Sequence, residues 1–408
     1  MRVLMATDFY WPHLGGVEQH VRALSHALCA RGHTVTVATT RSDDLPEYER
    51  DGPVEIVRIS TTTQSIPGLH HQRRPWAPPV PDPAAARRLR RLVNELEPDV
   101  IHGHDWFARS LLPLPNGAPP LVSTLHYYTL TCPKKDLLYF GERQCPGPAL
   151  ARCLRCAGRH YGAVTGTLAT LGAFAGRRME LRATTAFVSV SNATAAGNRV
   201  DGEPNHSVVP NFLTPNTAPE AADEWLAELP TQRFFLYVGD FRRAKGFDVL
   251  IDAYSRLGSA RPLVVIGKRW PDSPAVASAG VSVYENWPNH AVRAAYARAL
   301  AAIVPSVWAE PFGIVAIEAM TAGTPVIASA AGGLVDIVQD GHSGLLVTPG
   351  SVDDLVGAMR ALDDDEALAA RLGSAAALEA ERYTSDAVVP LLEEIYESAR
   401  DRGRVGVA

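Results

Sequence analysis

Two glutamates eight positions apart, Glu310 and Glu318, have the types and spacing that suit the binding of neighbouring hydroxyl groups. Glu310 precedes Pro311, and a proline is typical of the first turn of a helix. Glu318 falls two turns later, inside an apolar helical segment that should be buried. A buried carboxylate is costly unless it is hydrogen-bonded, and two vicinal hydroxyls can donate parallel bonds to it.

Unpaired backbone amides at two predicted helix starts suit the binding of phosphate groups. One start lies between the two glutamates, where the amides of Gly313, Ile314 and Val315 would point out of the helix. The other follows the first predicted strand, where Gly15 and Gly16 let the backbone approach a phosphate closely. Two glycines are equally typical of a plain tight turn, so this second start depends on support from elsewhere.

Alternating strands and helices are predicted to position these residues. Apolar runs of the buried-strand type occur in the first half at residues 3–7, 34–38, 54–59, 99–102, 120–124 and 186–190. They recur in the second half at 234–238, 263–266, 281–284, 301–304 and 324–329. Helical patterns between them, including 245–257 and 313–322, favour a doubly wound parallel sheet in each half. Such an α/β chain predicts two Rossmann-like domains that face each other across a substrate cleft.

The length of 408 residues exceeds what one hydrophobic core usually holds, so two domains are expected. We predict an N-terminal domain at 1–207, a C-terminal domain at 208–385, and a closing helix at 386–408 that packs back on the first domain. A polar, proline-containing segment at 208–219 is the predicted linker. An insert at about 127–182 carries four of the five cysteines.

Composition indicates a soluble enzyme, with 46% hydrophobic and 20% charged residues. No apolar run is long enough to span a membrane and no signal-peptide pattern opens the chain, so we expect a cytoplasmic protein. The net charge of −5 is uneven, because residues 1–200 carry 23 Lys and Arg against 16 Asp and Glu. Nucleic acid is not expected as a partner, because no nucleic-acid-binding module accompanies these arginines. Two interpretations of the basic half stay open: a solvated surface and peripheral contact with the inner membrane surface.

The segment from Glu310 to Glu318, with its Glu-Pro-Phe-Gly opening, resembles the E-x7-E signature of the retaining glycosyltransferases of family 4, which have the GT-B fold. The similarity extends over nearly the whole chain. It includes Gly15-Gly16-Val17-Glu18, Val209-Pro210-Asn211, Lys245-Gly246 and the tract from Gly323 to Gly333. The resemblance implies an enzyme of glycan biosynthesis that moves a hexosyl or N-acetylhexosaminyl group with retention of configuration.

The resemblance implies that the donor, a nucleoside-diphosphate sugar, binds to the second domain. Glu310 would contact hydroxyls of the transferred sugar, and Glu318 would contact the ribose. Lys245 would pair with the diphosphate, whose oxygens would also meet the donor-binding segment of Phe312, Gly313, Ile314 and Val315. These groups would replace the metal ion that other transferase folds need, so no cofactor is expected for catalysis.

On the first domain, the resemblance implies roles for one helix start and one histidine. The amide of Gly16, with Gly15 shaping the turn, would reach the distal phosphate. His126 matches the histidine that the family places beside the anomeric carbon, although a lone histidine after a strand is often only a satisfied polar residue. Together with Glu310 it is the predicted catalytic pair. The acceptor would be a glycan, a lipid-linked sugar or a small molecule.

One position departs from the family pattern. Asp240 stands where the family has an arginine, five residues before Lys245. A carboxylate facing a diphosphate would cost on the order of 1–4 kcal/mol. Either Asp240 points away and Arg242 or Arg243 takes over, with Arg242 the predicted donor-binding residue, or the donor site is unusual. The alternative function is therefore a non-catalytic nucleotide-sugar sensor or partner subunit on the same fold.

The clustered cysteines follow a C-x12-C-x7-C-x2-C pattern at Cys132, Cys145, Cys153 and Cys156. Cytosolic proteins seldom keep disulfides, and the closing C-x2-C suits tetrahedral zinc. We predict a structural zinc site. An iron–sulfur cluster and four unliganded thiols remain open alternatives.

Overall fold

The computed structural model describes residues 1–13, 15–42, 44–65, 77–115, 117–214, 222–276 and 279–405. The chain divides into two compact units. Unit 1 comprises Met1–Asn211 and Ser385–Ala408, and unit 2 comprises Phe212–Thr384. Within the described ranges, none of the helices combines the length and apolar character that a membrane span requires. The predicted linker at 208–219 is only partly covered, because residues 215–221 lie outside the described ranges.

Unit 1 is built on a mainly parallel sheet. Its strands are β1 (Arg2–Thr7), β2 (Thr34–Thr40), β3 (Tyr48–Asp51), β4 (Val54–Ile59), β5 (Val100–His104), β6 (Leu121–Leu125), β9 (Ala186–Ser189) and β10 (His206–Val208), while β7 (Leu138–Tyr139) and β8 (Arg143–Gln144) form a separate hairpin. The sheet order is β10-β9-β6-β5-β1-β2-β4-β3, and β3 alone of these runs antiparallel. The connections run in opposite directions from β1 and β5. Ligands of such sheets bind at this switch point, beyond the carboxyl ends of the strands.

Helices cover the sheet of unit 1 through apolar residues. They are α1 (Gly16–Ala30), α2 (Pro83–Leu96), α3 (Leu150–Tyr161), α4 (Ala163–Ala183) and α5 (Asn192–Asn198). Helix α2 begins where local sequence dictates, because Asp82 accepts bonds from the amides of Ala84 and Ala85 and Pro83 suits the first turn. Its Leu89 and Leu92 are buried against Ile101 and Phe107 in one core.

Unit 2 is built on a parallel sheet. Its strands are β11 (Phe234–Asp240), β12 (Leu263–Lys268), β13 (Val281–Glu285), β14 (Ala299–Val304), β15 (Val326–Ser329) and β16 (Gly344–Val347), in the order β13-β12-β11-β14-β15-β16. Its helices are α6 (Asp223–Leu226), α7 (Phe247–Leu257), α8 (Asn289–Arg298), α9 (Ile314–Thr321), α10 (Leu334–Ile337), α11 (Val352–Asp364) and α12 (Glu366–Ala380). The switch point lies between β11 and β14, so the loops that leave these strands should meet a ligand.

The closing helix, α13 (Ser385–Val405), packs on unit 1. Glu393 accepts hydrogen bonds from Arg31 and from the His33 ring, at 2.7 Å for the shortest Arg31 contact. The hydroxyl of the fully buried Tyr396 lies 2.6 Å from Nδ1 of His102, the central residue of β5. The last helix of the chain thereby contacts strand residues of the first unit.

Candidate functional site

A salt bridge joins the two loops at the switch point of unit 2. Lys245, in the turn that follows β11, places its Nζ 2.6 Å from Glu310 Oε1, in the loop that follows β14. These residues are 65 positions apart, and only the adjacency of β11 and β14 brings them together. The structure therefore joins the residue predicted for the diphosphate and the residue predicted for the sugar.

Close backbone approach makes this junction possible. Gly246 has a φ of +69°, and a Cβ at this position would overlap the carbonyl oxygen of Pro305. On the other side of the loop, Gly333 donates its amide to the Glu310 carbonyl oxygen at 2.6 Å. A Cβ at Gly332, whose φ is +61°, would overlap the backbone of Glu310. Glycine is thus required on both sides of the glutamate.

The Glu310 carboxylate is held by three side chains. Besides the lysine, Trp308 donates its Nε1–H to Oε2 at 2.6 Å, and Ser306 donates its hydroxyl to the same oxygen at 3.1 Å. Lys245 Nζ also lies 5.3 Å from the centroid of the Trp308 ring. Oε2 is therefore fixed by its own loop, whereas Oε1 faces the mobile charge of a lysine.

Among the residues that the structure describes, no side chain caps the start of α9. Its N-cap residue, Gly313, has a φ of +116° and makes no capping hydrogen bond, so the predicted amides of Ile314 and Val315 begin the helix uncapped. Phe312 is buried, and its ring packs edge-on against Tyr383 at 6.0 Å. Only the backbone of Phe312 is thus suited to contact a donor, while its ring anchors the loop.

Glu318 is buried in α9 and partnered by α8. Asn289 donates to Oε1 at 3.4 Å, and Arg293 Nε lies 4.0 Å from the same oxygen. Burial raises the pKa of Glu318, and the neighbouring Arg293 opposes this shift. Glu318 also lines a cavity of about 500 Å³, together with Thr214 and Thr321. A carboxylate at such a cavity can accept hydrogen bonds from a diol.

Basic residues lie beside Asp240, the residue that stands where the family has an arginine. Asp240 ends β11 opposite Lys268, the last residue of β12. Arg242 stacks its guanidinium 3.9 Å from the centroid of the Trp270 ring, where Lys268 also lies at 4.6 Å. Positive charge is therefore present beside Asp240 at the carboxyl end of the sheet. Arg242 and Arg243 are both exposed, and only Arg242 of the two is described as stacking on an aromatic ring.

In unit 1, Gly15 and Gly16 stand at the start of α1, directly beyond β1. Gly15 is the N-cap residue, and the carboxylate of Glu18 folds back so closely that a Cβ at Gly15 would overlap it. Within the described ranges, no atom lies within 4 Å of the position that a Cβ at Gly16 would take. The helix dipole favours an acidic side chain in the first turn. An anionic ligand at this helix start would therefore compete with the Glu18 carboxylate for the same position.

His126 follows β6 and is buried. Its Nε2 lies 2.9 Å from Nδ1 of His104, the last residue of the adjacent strand β5. Burial lowers the pKa of His126 to about 3 and that of His104 well below its usual value. Both imidazoles are therefore neutral at pH 7, which suits hydrogen bonding rather than charge pairing.

A buried charge cluster lies at the same edge of this sheet. Lys135, from the insert, places its Nζ 3.1 Å from Asp8 and 3.3 Å from Asp105, which follow β1 and β5. Asp8 also accepts the amide of Phe107 at 2.7 Å. Burial raises the pKa of Asp8 to about 6, against the opposing effect of Lys135. The lysine thus ties the insert to the ligand-binding edge of unit 1.

The four cysteines of the insert line one small cavity of about 20 Å³. Three of the sulfurs contact oxygen atoms of the insert itself: Cys132 with Asp136, Cys145 with the Gly147 carbonyl, and Cys156 with the Leu138 carbonyl. Among the described residues, no group of three or more histidine, cysteine or acidic side chains is placed to hold a metal ion. The zinc site expected from the spacing therefore stays a prediction.

Several residues that contact or lie near the predicted site residues were not predicted from the sequence. Ser306 and Trp308 could have been suspected only from their nearness to Glu310. His104 carried a clearer signal, since it closes the His-Gly-His end of a predicted strand region. Asp8 and Lys135 are 127 positions apart, and no local pattern joins them.

Comparison with known proteins follows the same division of the chain. The profile of the family described as Glycosyltransferase Family 4 matches residues 14–217, and that of Glycosyl transferases group 1 matches residues 221–379. The D-inositol 3-phosphate glycosyltransferase of Pseudarthrobacter chlorophenolicus is 30% identical over 411 residues, covering 95% of this chain and 91% of that protein.

Two solved structures show the likeness in fold. Sucrose-phosphate synthase from Thermosynechococcus elongatus superposes with a TM-score of 0.73 at 21% identity, covering 98% of this chain and 99% of that one. HepE from Anabaena, solved in complex with UDP and glucose, gives a TM-score of 0.64 at 18% identity, covering 98% and 100%. The fold is that of GT-B proteins, with two Rossmann-like domains.

Proposed function

Since the chain belongs to the family 4 glycosyltransferases of the group 1 type, we propose that it transfers a sugar from a nucleoside-diphosphate donor, with retention of configuration and without a metal ion. The observation that carries this proposal is the pairing of Lys245 with Glu310 at the switch point of unit 2. It places a cation, a carboxylate and an uncapped helix start in one loop region, and these are the groups that a sugar diphosphate needs.

Lys245 would bind the diphosphate as a point charge. Its flexible ammonium group is one-third exposed and pairs with a single carboxylate oxygen, so it can turn toward a phosphate while Trp308 and Ser306 still hydrogen-bond the other oxygen. The uncapped amides at Gly313, Ile314 and Val315 would hold the remaining phosphate oxygens. A leaving diphosphate stabilised in this way needs no metal ion.

Glu310 would bind the transferred sugar through Oε1. Trp308 and Ser306 hold Oε2, so the carboxylate keeps its orientation when Lys245 moves to the diphosphate. Glu318 would accept the two ribose hydroxyls beside the cavity that it lines. Two parallel O–H bonds to one carboxylate would compensate for the burial that raises the pKa of Glu318.

Unit 1 would bring His126 to the anomeric carbon and Gly16 to the distal phosphate. HepE is named as a complex with UDP and glucose, and starch synthase IV from Arabidopsis thaliana as bound to ADP and acarbose. These names support a nucleoside-diphosphate donor here. The acceptor would be a glycan, a lipid-linked sugar or a small molecule.

The acceptor side would also contact the membrane peripherally. Val164, Leu168 and Leu171 project from one face of α4, and each is more than half exposed. Arg159 and Arg178, near these side chains in the chain, are exposed as well. Apolar side chains flanked by arginines suit an anionic lipid surface, where a lipid-linked acceptor would be found.

Binding and turnover measured together test the proposal. UDP, GDP and ADP sugars are screened by thermal shift, because a bound ligand raises the unfolding temperature by mass action. Donor hydrolysis is then measured with EDTA present, and the anomeric configuration of any product is read by NMR. We expect Glu310→Ala to remove most turnover while the protein stays folded. Binding without turnover across a broad acceptor panel would instead support the sensor function.

A further inference from the structure

Three polar side chains of α8 lie around the buried carboxylate of Glu318, on the neighbouring helix α9. Asn289, Arg293 and Tyr296 stand at positions i, i+4 and i+7 of α8, which share one face of a helix. Asn289 donates to Glu318 Oε1 at 3.4 Å, and Arg293 Nε lies 4.0 Å from the same oxygen. Burial and the negative charge of Glu318 both raise the pKa of the Tyr296 hydroxyl. The polar face of α8 is therefore directed at one carboxylate.

The contacts of Glu318 are weak for a buried carboxylate. Its side chain is 7% exposed, and the hydrogen bond from Asn289 is long. At 4.0 Å the contact with Arg293 is an ion pair without a hydrogen bond. Within the described ranges, neither Arg293 Nε nor the Tyr296 hydroxyl has a hydrogen-bond partner. Because so few hydrogen bonds offset the cost of burying this charge, its ionisation depends on the neighbouring cation.

The Arg293 guanidinium is held in place from another direction. Its Nη1 donates to the carbonyl oxygen of Thr214, in the segment that follows β10, at 3.2 Å. The side chain is 23% exposed, so solvent and salt screen its charge less than they screen a surface pair. Burial raises the pKa of Glu318, and Arg293 opposes this rise. The guanidinium is thus fixed where it favours the charged form of the glutamate.

The other charged group at this cavity has the opposite effect. Glu381 lines the same cavity of about 500 Å³ as Glu318 and is exposed to solvent. A second carboxylate favours the protonated form of Glu318, because two negative charges repel each other. Among the described residues that line this cavity, Arg293 carries the positive charge. The balance between these groups decides whether Glu318 presents two acceptor oxygens to the cavity.

We propose that Arg293 is a positioning residue that keeps Glu318 ionised, so that Glu318 accepts both ribose hydroxyls of the donor and distinguishes a ribonucleotide from a deoxyribonucleotide. An ionised carboxylate only accepts, and its hydrogen bonds are about twice as strong as those between neutral groups. Arg293 acts through Glu318 and not on the ribose, because its Nε is enclosed in protein. The choice of ribose rests on the proposed function, whereas the ionisation of Glu318 follows from contacts within unit 2.

Isothermal titration tests the preference for ribose. The probes are UDP, ADP and GDP, each compared with its 2′-deoxy analogue at pH 7. We expect the wild type to bind the ribose form of its nucleotide about 10- to 100-fold more tightly, and Arg293→Met to narrow this preference to about threefold or less. Arg293→Lys keeps a positive charge, so its preference should stay within about threefold of the wild-type value. At pH 9, where Glu318 ionises again, Arg293→Met should recover its preference.

Arg298→Met is the matched control. Arg298 lies on the same helix and donates to the carbonyl oxygens of Leu226 and Pro230, so its loss should leave the preference unchanged. Glu318→Gln should lose as much preference as Arg293→Met, and the double variant should lose no more than either alone, since one residue acts through the other. An unchanged preference in Arg293→Met, or losses that add in the double variant, would overturn the proposal.

The ionisation of Glu318 is read without any ligand by ¹³C NMR of protein labelled at the glutamate carboxyl carbons. Glu318→Gln assigns the signal. We expect an ionised carboxylate in the wild type at pH 7 and a titration midpoint at higher pH in Arg293→Met. A protonated Glu318 in the wild type, or equal midpoints, would refute the proposal. An ionised Glu318 in a protein that binds none of the three diphosphates would count against the proposed function and still support the action of Arg293.

Discussion

Lys245 Nζ lies 2.6 Å from Glu310 Oε1, so the residue predicted for the diphosphate and the residue predicted for the sugar are each other's partners. A donor bound here would separate this pair. Its phosphates would bind the lysine, and its sugar hydroxyls would bind the glutamate. The bridge keeps both charges satisfied beforehand and positions them at the required loops.

The charge of Lys245 should contribute to the affinity for a nucleoside diphosphate. Replacing the lysine by methionine, which keeps the length and removes the charge, is expected to weaken nucleoside-diphosphate affinity by about 10- to 100-fold, because a charge-assisted hydrogen bond is worth about 1.5–3 kcal/mol. Isothermal titration of Lys245→Met measures this change. Arg360→Met removes an exposed charge elsewhere in unit 2 and serves as the control. Wild-type affinity in the lysine variant would contradict the site.

The exposed face of α4 should bind anionic membranes. Val164, Leu168 and Leu171 stand 74%, 59% and 51% exposed, which is unusual for clustered apolar side chains. We expect sedimentation with phosphatidylglycerol vesicles, weakened by salt because arginines assist it. The double variant Leu168→Ser/Leu171→Ser should lower vesicle binding at least about fivefold.

The control for the membrane prediction is Leu378→Ser on α12, which removes an apolar side chain that is 68% exposed in unit 2. Its vesicle binding should equal that of the wild type. Equal losses in both variants, or binding to uncharged phosphatidylcholine alone, would show that the α4 face has no special part in membrane contact.

The strands could be predicted from the sequence because buried parallel strands read as short apolar runs. The runs predicted at 3–7 and 234–238 correspond to β1 (Arg2–Thr7) and β11 (Phe234–Asp240), and these predictions are confirmed. Polar or very short strands were missed, among them Tyr48–Asp51 and His206–Val208, because they lack an apolar run. Local hydrophobicity therefore identified the interior strands of both sheets and one edge strand, Val281–Glu285, but missed the edge strands Tyr48–Asp51, His206–Val208 and Gly344–Val347.

The candidate site was predictable only where one loop carries it. Glu318 lies in a helix and Glu310 in the loop that leads into it, so their spacing in the sequence already implied a common site. The contacts of Glu310 with Trp308 and Lys245 depend on loop geometry and on which strands are neighbours. The hydrogen bond of His104 with His126 depends on strand register, which residue types alone do not give.

The cysteines of the insert should react as separate thiols. Burial raises the pKa of Cys132 to about 12, so very little of it is thiolate at pH 8, whereas Cys145 is only partly buried. We expect iodoacetamide to modify Cys145 well before Cys132. Peptide mass spectrometry at successive reaction times measures this order. Cys29→Ser should leave the order among the other four unchanged. Uniform protection of the four, lost with a chelator and accompanied by one equivalent of zinc, would instead establish the metal site expected from the spacing.

The buried histidines should make the protein sensitive to mild acid. The pKa values of His102 and His126 are held at about 3 by burial, against about 6.5 in an unfolded chain. Between these values the unfolded chain binds more protons, so the free energy of unfolding falls as the pH decreases. Asp8, with a pKa raised to about 6, opposes this through one proton between about pH 4 and 6.

The net prediction is a loss of unfolding free energy below about pH 6.5, and urea titrations at pH 7, 6 and 5 measure it. The slope per buried histidine approaches about 1.4 kcal/mol per pH unit once the unfolded imidazole is fully protonated. His102→Gln should flatten the dependence by about one proton, and Asp8→Asn should steepen it because the opposing group is gone. Stability that stays constant or rises toward pH 5 would show that these imidazoles take up protons in the folded protein.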